Sequence, residues 1–260
     1  MTLSEIQQRI RNAKALEFGD IFNKSIELFK KSWLYGFLYQ LFVIIIMLPF
    51  LIVLYVPLLM SMLAQAENGD IDPNTFSGLF AGFTAFYLVL FFIGILAASV
   101  IQLALHAGFY RIIKSIDEGK DVKASDLFYF LKGKYFGSVT LLMVATFLVS
   151  LAFALLCYIP LIYAFIPISF FTIVYAFNPE MSIGDIVKVS FNLGTKKWLL
   201  SFGLMVVAYL LVVLLIIVTC GIGSLFLSPF MYLPLYFIYK EVVGFEDQDE
   251  VDSIGKSETF

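Results

Sequence analysis

Residues 184–199 read Gly184-Asp185-Ile186-Val187-Lys188-Val189-Ser190-Phe191-Asn192-Leu193-Gly194-Thr195-Lys196-Lys197-Trp198-Leu199, and residues 19–34 repeat that skeleton without a gap. Gly19/Gly184, Asp20/Asp185, Ile21/Ile186, Ser25/Ser190, Lys31/Lys196, Trp33/Trp198 and Leu34/Leu199 coincide. In each copy an acidic residue stands where a helix starts, so Asp20 and Asp185 are read as N-caps that accept from free backbone N–H groups. Ile21, Phe22, Ile26, Phe29 and Trp33 then mark an apolar stripe, with Asn23, Lys24, Glu27, Lys30 and Lys31 covering the rest. That pattern predicts a short helix lying among lipid headgroups, its lysines toward phosphate and its tryptophan at the depth indoles prefer. Each copy leads directly into a long apolar run.

The chain is 61% hydrophobic and 14% charged, with a mean hydropathy of +0.93. Soluble domains are about 45–50% apolar and about 25% charged, so this is a polytopic membrane protein. Residues 34–64 carry no charge and would measure ~46 Å as one helix, against a hydrocarbon core of about 30 Å. Pro49 is expected to kink this span and Pro57 to end it. The first 33 residues hold no signal-peptide core, so the first span is expected to direct its own insertion. A second span runs from about Leu79 to Leu103 and continues through His106 to Arg111 and Lys114. Residues 136–177 and 199–239 are again free of formal charge, each long enough for two spans, with breaks near Cys157–Pro160 and Thr219–Gly223. A shorter copy of the opening element, Asp126 to Tyr135, precedes the first of these runs.

The expected fold is therefore all-α: six transmembrane helices in three repeats, each an amphipathic helix plus a transmembrane hairpin. The units are about 18–117, 123–180 and 182–243, forming one membrane domain over residues 1–243. Residues 1–18 are expected to form a frayed interfacial helix, and residues 244–260 an acidic, disordered tail. Lys and Arg number six in residues 1–33, six in 111–135, three in 178–198 and two in 240–260, which accounts for all 17. The opposite segments hold none, so both termini and the amphipathic elements are assigned to the cytoplasmic side of a bacterial inner membrane.

The predicted spans contain no Asp, Glu, Lys or Arg, which argues against a carboxylate proton relay and an aspartyl protease. Gln40, Gln102 and His106 are the remaining intramembrane polar residues, read first as interhelical hydrogen-bonding groups and second as substrate contacts. Lys30, Lys31, Trp33, Lys196, Lys197 and Trp198 are candidate headgroup or interface anchors. One histidine and two cysteines make no metal site, and neither cofactor nor catalytic residue is expected. Cys157 and Cys220 occupy equivalent hairpin ends; a disulfide and plain apolar packing are both open, with packing favoured.

At Asn178-Pro179-Glu180-Met181-Ser182-Ile183-Gly184-Asp185, Ser190-Phe191 and Thr195-Lys196-Lys197-Trp198, the chain resembles a group of uncharacterised prokaryotic six-span membrane proteins. These are related to the membrane domain of bacterial glycerophosphodiester phosphodiesterases, whose catalytic domain has no counterpart in this sequence. The resemblance implies the six-span architecture and leaves the activity open. A carotenoid-cleaving oxygenase, as similar bacterial proteins are sometimes labelled, would resemble a four-histidine iron enzyme, and this chain has His106 alone. The expected function is non-enzymatic, organising membrane lipids or a second membrane or cytoplasmic protein, with no nucleic-acid partner. The alternative is a permease or flippase for an apolar or amphiphilic solute, its path passing Gln40, Gln102 and His106.

Overall fold

The computed structural model describes residues 1–68, 85–156 and 158–245. Its helices are α1 (Leu3–Arg11), α2 (Phe18–Asn68), α3 (Ala85–Asp117), α4 (Gly133–Leu155), α5 (Tyr158–Ser169), α6 (Phe171–Phe177), α7 (Ile183–Lys196), α8 (Trp198–Val218), α9 (Ser224–Leu227) and α10 (Leu233–Val242), with 3-10 helices at Ala124–Leu131 and Ser228–Tyr232. No strand occurs among the described residues. Among the described residues, five helical stretches are long and apolar enough to cross a membrane: Phe18–Val53, Val89–Asp117, Gly133–Leu155, Pro160–Phe177 and Trp198–Val218. The remaining apolar stretch, Ser224 to Val242, is divided into α9, a 3-10 helix and α10, with Pro229 and Pro234 at the starts of the last two. Proline supplies no backbone N–H and suits a first helical turn, so each one restarts the helix.

The chain forms two compact units, residues 1–40 with 103–260, and residues 41–102. In the smaller unit Gly94 of α3 lets Phe50 of α2 approach, since a Cβ at Gly94 would meet the Phe50 ring at 2.7 Å. Much of the rest is outward-facing and apolar, including Ile52, Tyr55, Leu59, Met60, Phe92 and Ile93. In the larger unit α4 exposes Leu141, Phe147 and Leu148, and α8 exposes Leu210, Leu214 and Ile217. Apolar surface this extensive is stable when lipid rather than water is the solvent.

The core of the larger unit is built on α6 and α10. Every residue from Phe171 to Ala176 and from Leu233 to Tyr239 is buried, as expected for helices that are apolar all round. Helix α6 packs against α7 and α10, and α1 packs against α7. Helix α1 is not frayed: Thr2 and Glu5 form a reciprocal capping box, and Ile6 and Ile10 are buried. Two or three residues of preceding sequence are enough to cap it, which composition alone does not reveal.

The repeated stretch differs from expectation in three ways. Its inward stripe is Ile21, Ser25, Leu28, Ser32, Gly36 and Tyr39, not Ile21, Phe22, Ile26, Phe29 and Trp33. Small residues face inward because the contact is close, and Ser25 satisfies its hydroxyl on the Ile21 carbonyl at 2.8 Å. Phe22 and Phe29 flank this contact with their edges on Phe230, and Trp33 is 46% exposed. The corresponding positions in the second copy, Ile186, Ser190, Leu193, Lys197, Ser201 and Leu204, are buried as well. Second, neither aspartate is the cap. Helix α2 starts at Phe18, placing Asp20 in its first turn. Ser182 caps α7 by accepting from the Asp185 N–H at 3.1 Å and donating to its carboxylate at 2.7 Å. Third, the first copy is not a separate interfacial helix. It runs into its span as one helix through Pro49 and Pro57 to Asn68, whereas the second copy breaks at Lys197.

The shorter element near Asp126 is a 3-10 helix with Leu127 and Phe130 buried. The break after α8 is made by two left-handed residues, Cys220 (φ 51) and Gly221 (φ 90), and the Gly221 N–H reaches back to the Ile216 carbonyl at 2.8 Å. Cys220 is a free, exposed thiol; Cys157 and residues 246–260 of the acidic tail lie outside the described residues. Gly244 and Phe245 belong to the folded domain: Phe245 is 3% exposed and packs its ring 4.7 Å from that of Phe177.

Candidate functional site

Polar side chains converge at the C-terminal end of α3. Val89 to His106 already spans ~27 Å of helix, so Arg111, Lys114 and Ser115 fall on the following turns, with Glu118 just past the helix end. Their spacing of three and four residues aligns all four on one face. With Asn178 after α6, Tyr239 on α10 and the Gly244–Phe245 segment, they line a cavity of about 300 Å³. Lys120 completes one wall. Gly244 (φ +74) reverses the chain so that Phe245 folds back as a wall of the same cavity. The turn is held by Arg9, which donates to the Val243 carbonyl at 2.6 Å.

Basic side chains, aromatic rings and one carboxylate meet here. The Arg111 guanidinium lies 3.9 Å from the Tyr129 ring centre and 5.9 Å from that of Phe130. Glu118 is shared between Lys114 at 3.6 Å and Lys120 at 2.7 Å, and the Lys114 ammonium also sits 4.6 Å from the Phe245 ring centre. Asn178 donates to the Tyr239 hydroxyl at 2.7 Å and to the Val174 carbonyl at 3.0 Å, which fixes the polar floor. A second cavity of about 170 Å³ has a different charge character. Lys24, Lys31 and Lys240 there face Glu27, Asp117 and Glu241, and Lys24–Glu241 (2.9 Å) and Lys240–Asp117 (2.6 Å) pair directly. Its charges balance, so it has no preference for an anion.

The residues singled out in the sequence are dispersed. Lys30, Lys31 and Lys196 are exposed. Lys197 is buried and donates to the Lys14 carbonyl, which removes it from the headgroup role its neighbours suggest. Burial, with Lys196 adjacent, holds the Lys197 pKa below its ordinary value. Trp198 stacks on Phe202 at 5.0 Å and donates to the Tyr163 carbonyl at 3.0 Å; Trp33 meets Phe226 at 6.2 Å. Gln40 and Gln102 are half-buried. His106 is half-buried and packs among rings, with centroids at 4.1 Å (Tyr232), 4.9 Å (Tyr110) and 5.9 Å (Tyr39). Its Nε2 and the Tyr110 hydroxyl are buried without a hydrogen-bond partner among the described residues. No group of three potential metal ligands occurs among the described residues.

Sequence reasoning marked Arg111 and Lys114 only as a basic exit from a span. The available signal was their spacing with Glu118 on a helix that continues past the apolar run. Nothing local in the sequence pointed to Asn178, Tyr239 or Phe245 as their neighbours. Fold and site together define a helical membrane protein with a basic, polar-floored cavity in its larger unit. Comparisons of the chain with protein-family models, curated proteins and solved structures return no match.

Proposed function

We propose that this chain is a non-enzymatic integral protein of a bacterial cytoplasmic membrane that organises lipid on the cytoplasmic leaflet. Its termini are cytoplasmic, and it has six spans in three repeats, Ser224 to Val242 supplying the sixth. The repeat reading is supported by the coincident buried positions of the two long copies, and by prolines at matching spacing, Pro167 within α5 and Pro229 at the start of a 3-10 helix. It agrees with the resemblance to the six-span family. The cytoplasmic side is supported by the clustering of Lys and Arg in the segments that carry both cavities.

The observation that carries the non-transport reading is the packing around His106. A solute path through the larger unit would need a wet, polar-lined passage at this depth; half-buried His106 instead packs among the rings of Tyr39, Tyr110 and Tyr232. The test is reconstitution into liposomes that carry a fluorescent lipid and an entrapped apolar dye. The expected result is lipid scrambling and dye efflux at the rates of protein-free liposomes. Accelerated movement of either would establish the flippase or permease reading instead. Topology is tested in a Cys157→Ser background. A membrane-impermeant maleimide should label Cys220 in intact cells, and a cysteine at Lys120→Cys only after lysis; the reverse pattern would invert the assignment.

A further inference from the structure

We propose that the seam between α2 and residues 226–232 is a lateral gate. It is the one joint of the larger unit built to open, and opening gives the buried polar atoms of His106 and Tyr110 a hydrogen-bonding partner from outside the protein. The gate goes beyond the lipid-organising reading and does not depend on it.

Three close joints hold the larger unit, and in the three-repeat reading each seats the opening element of one repeat on the second span of another. At the first, a Cβ on Gly108 of α3 would lie 2.2 Å from the Leu127 carbonyl oxygen. At the second, a Cβ on Gly194 of α7 would lie 2.6 Å from Cα and 2.8 Å from N of Pro167 in α5. In both the nearest atoms are backbone, and the partners are neighbouring elements of the chain. The third joint unites opposite ends of the sequence: Gly36 of α2 meets Pro229, and the nearest atoms, at 3.0 and 3.1 Å, are the proline's Cβ and Cγ. A joint between distant segments carries the larger loop-closure cost, and side-chain contacts part more readily than packed backbone. Its outer side is also the least regular: Pro229 lies in a 3-10 helix between α9 and α10, the kind of short stretch that often marks a hinge. Phe226, Met231 and Tyr232 are half-buried, so this segment lies at the surface. Its neighbours are anchored elsewhere, α2 by Tyr35 on the Val122 carbonyl at 2.8 Å and α10 by Tyr236 and Lys240 on Asp117 at 2.7 and 2.6 Å. Residues 226–232 are therefore the moving leaf. They meet α2 through rings, Phe226 stacked on Phe37 at 4.8 Å and Phe230 against the edges of Phe22 and Phe29. The seam also penalises its own closure. Tyr39 of α2, His106 and Tyr110 of α3 and Tyr232 of the leaf meet there, and His106 Nε2 and the Tyr110 hydroxyl are buried without a partner among the described residues. Unpaired polar atoms destabilise the closed packing, and withdrawing Tyr232 uncovers both.

The experiment uses the full chain in lipid nanodiscs, in a Cys157→Ser, Cys220→Ser background. Ser32→Cys and Ser190→Cys place one buried thiol each, four residues before the glycine of the third and second joints. Labelling by N-ethylmaleimide should be at least tenfold faster for Ser32→Cys. Adding Phe226→Ala removes the stack on Phe37 and should speed Ser32→Cys labelling at least fivefold while leaving Ser190→Cys within twofold. Adding Tyr110→Phe removes an unpaired hydroxyl, favours the closed seam and should slow Ser32→Cys labelling at least threefold. Equal rates at the two thiols, acceleration of both by Phe226→Ala, or indifference to Tyr110→Phe would each overturn the gate. If Ser32→Cys fails to fold, hydrogen exchange in the wild-type protein decides between the two 3-10 segments. Residues 226–232 should exchange at least tenfold faster than residues 124–131, and equal protection would overturn the proposal. Either result leaves the lipid-organising reading to its own liposome test.

Discussion

Replacing Gly108 by alanine should destabilise the protein, although alanine is the better helix former. Gly108 sits on α3 with the 3-10 helix against it: a Cβ would lie 2.2 Å from the Leu127 carbonyl oxygen and 2.8 Å from its carbon. An ordinary contact needs about 3.4 Å, and the obstacle is backbone, so no side-chain rotation relieves it. The 3-10 helix carries Leu127 and Phe130 in the core, so moving it by about 1 Å disturbs both. Overpacking typically costs about 1–3 kcal/mol, and a backbone clash belongs at the upper end. Alanine returns about 1 kcal/mol of helix propensity, leaving a net loss of roughly 2 kcal/mol. Gly137 of α4 is the matched control, because nothing lies within 4 Å of its Cβ position; there the propensity term acts alone. Thermal unfolding in one detergent, followed by Trp33 and Trp198 fluorescence, should move down for Gly108→Ala and up or not at all for Gly137→Ala. A Gly108→Ala protein at least as stable as wild type would refute the close packing of α3 on the 3-10 helix.

Phe245→Ala removes a ring packed on Phe177, Tyr236 and Tyr239, and should cost about 3–5 kcal/mol, seen as loss of monodisperse protein on size exclusion. Asn178→Ala leaves the buried Tyr239 hydroxyl without its donor, a cost of roughly 1–3 kcal/mol. Adding Tyr239→Phe should recover part of that in a double-mutant cycle, and strict additivity would deny the contact. Lys197 predicts a pH dependence. Its folded pKa lies below the ordinary 10.5 through burial, then Lys196, so between the two values the unfolded chain holds more protons and stability rises with pH. Lys197→Met should flatten that alkaline rise relative to wild type, and parallel pH profiles would show that Lys197 is solvated.

The helical class and the presence of membrane-length apolar helices were legible because apolar runs of this length have few alternatives. The break at Thr219–Gly223 was legible for a local reason, since glycine admits the left-handed backbone that ends α8 there, whereas Pro49 and Pro57 leave α2 uninterrupted. The inward face was not. Phe22, Ile26 and Phe29 outweigh Ser25 and Ser32 in any hydrophobic pattern, yet close packing in a membrane protein selects small residues, and hydropathy ranks them last. The burial of Lys197 was hidden similarly, because its acceptor is a carbonyl at Lys14, far away in sequence.

What distinguishes the cavity from the rest of the protein is that it is not repeated. Ile21 and Ile186, Ser25 and Ser190, and Leu28 and Leu193 recur and are buried in both places, so they serve what each copy has to do, which is to seat a helix against the core. A group needed once should lie where the copies differ. Helix α3 ends in Arg111, Lys114 and Asp117, whereas α6, from Phe171 to Phe177, has no charge. Helix α10 does carry Lys240 and Glu241, but Lys240 is paired to Asp117 at 2.6 Å and Glu241 to Lys24 at 2.9 Å. The charges of α10 are thus consumed in tying α3 and α2 to the core, and Arg111 rests on rings. The residues common to the two long copies are thus used in packing, and the charges of α10 in ion pairs.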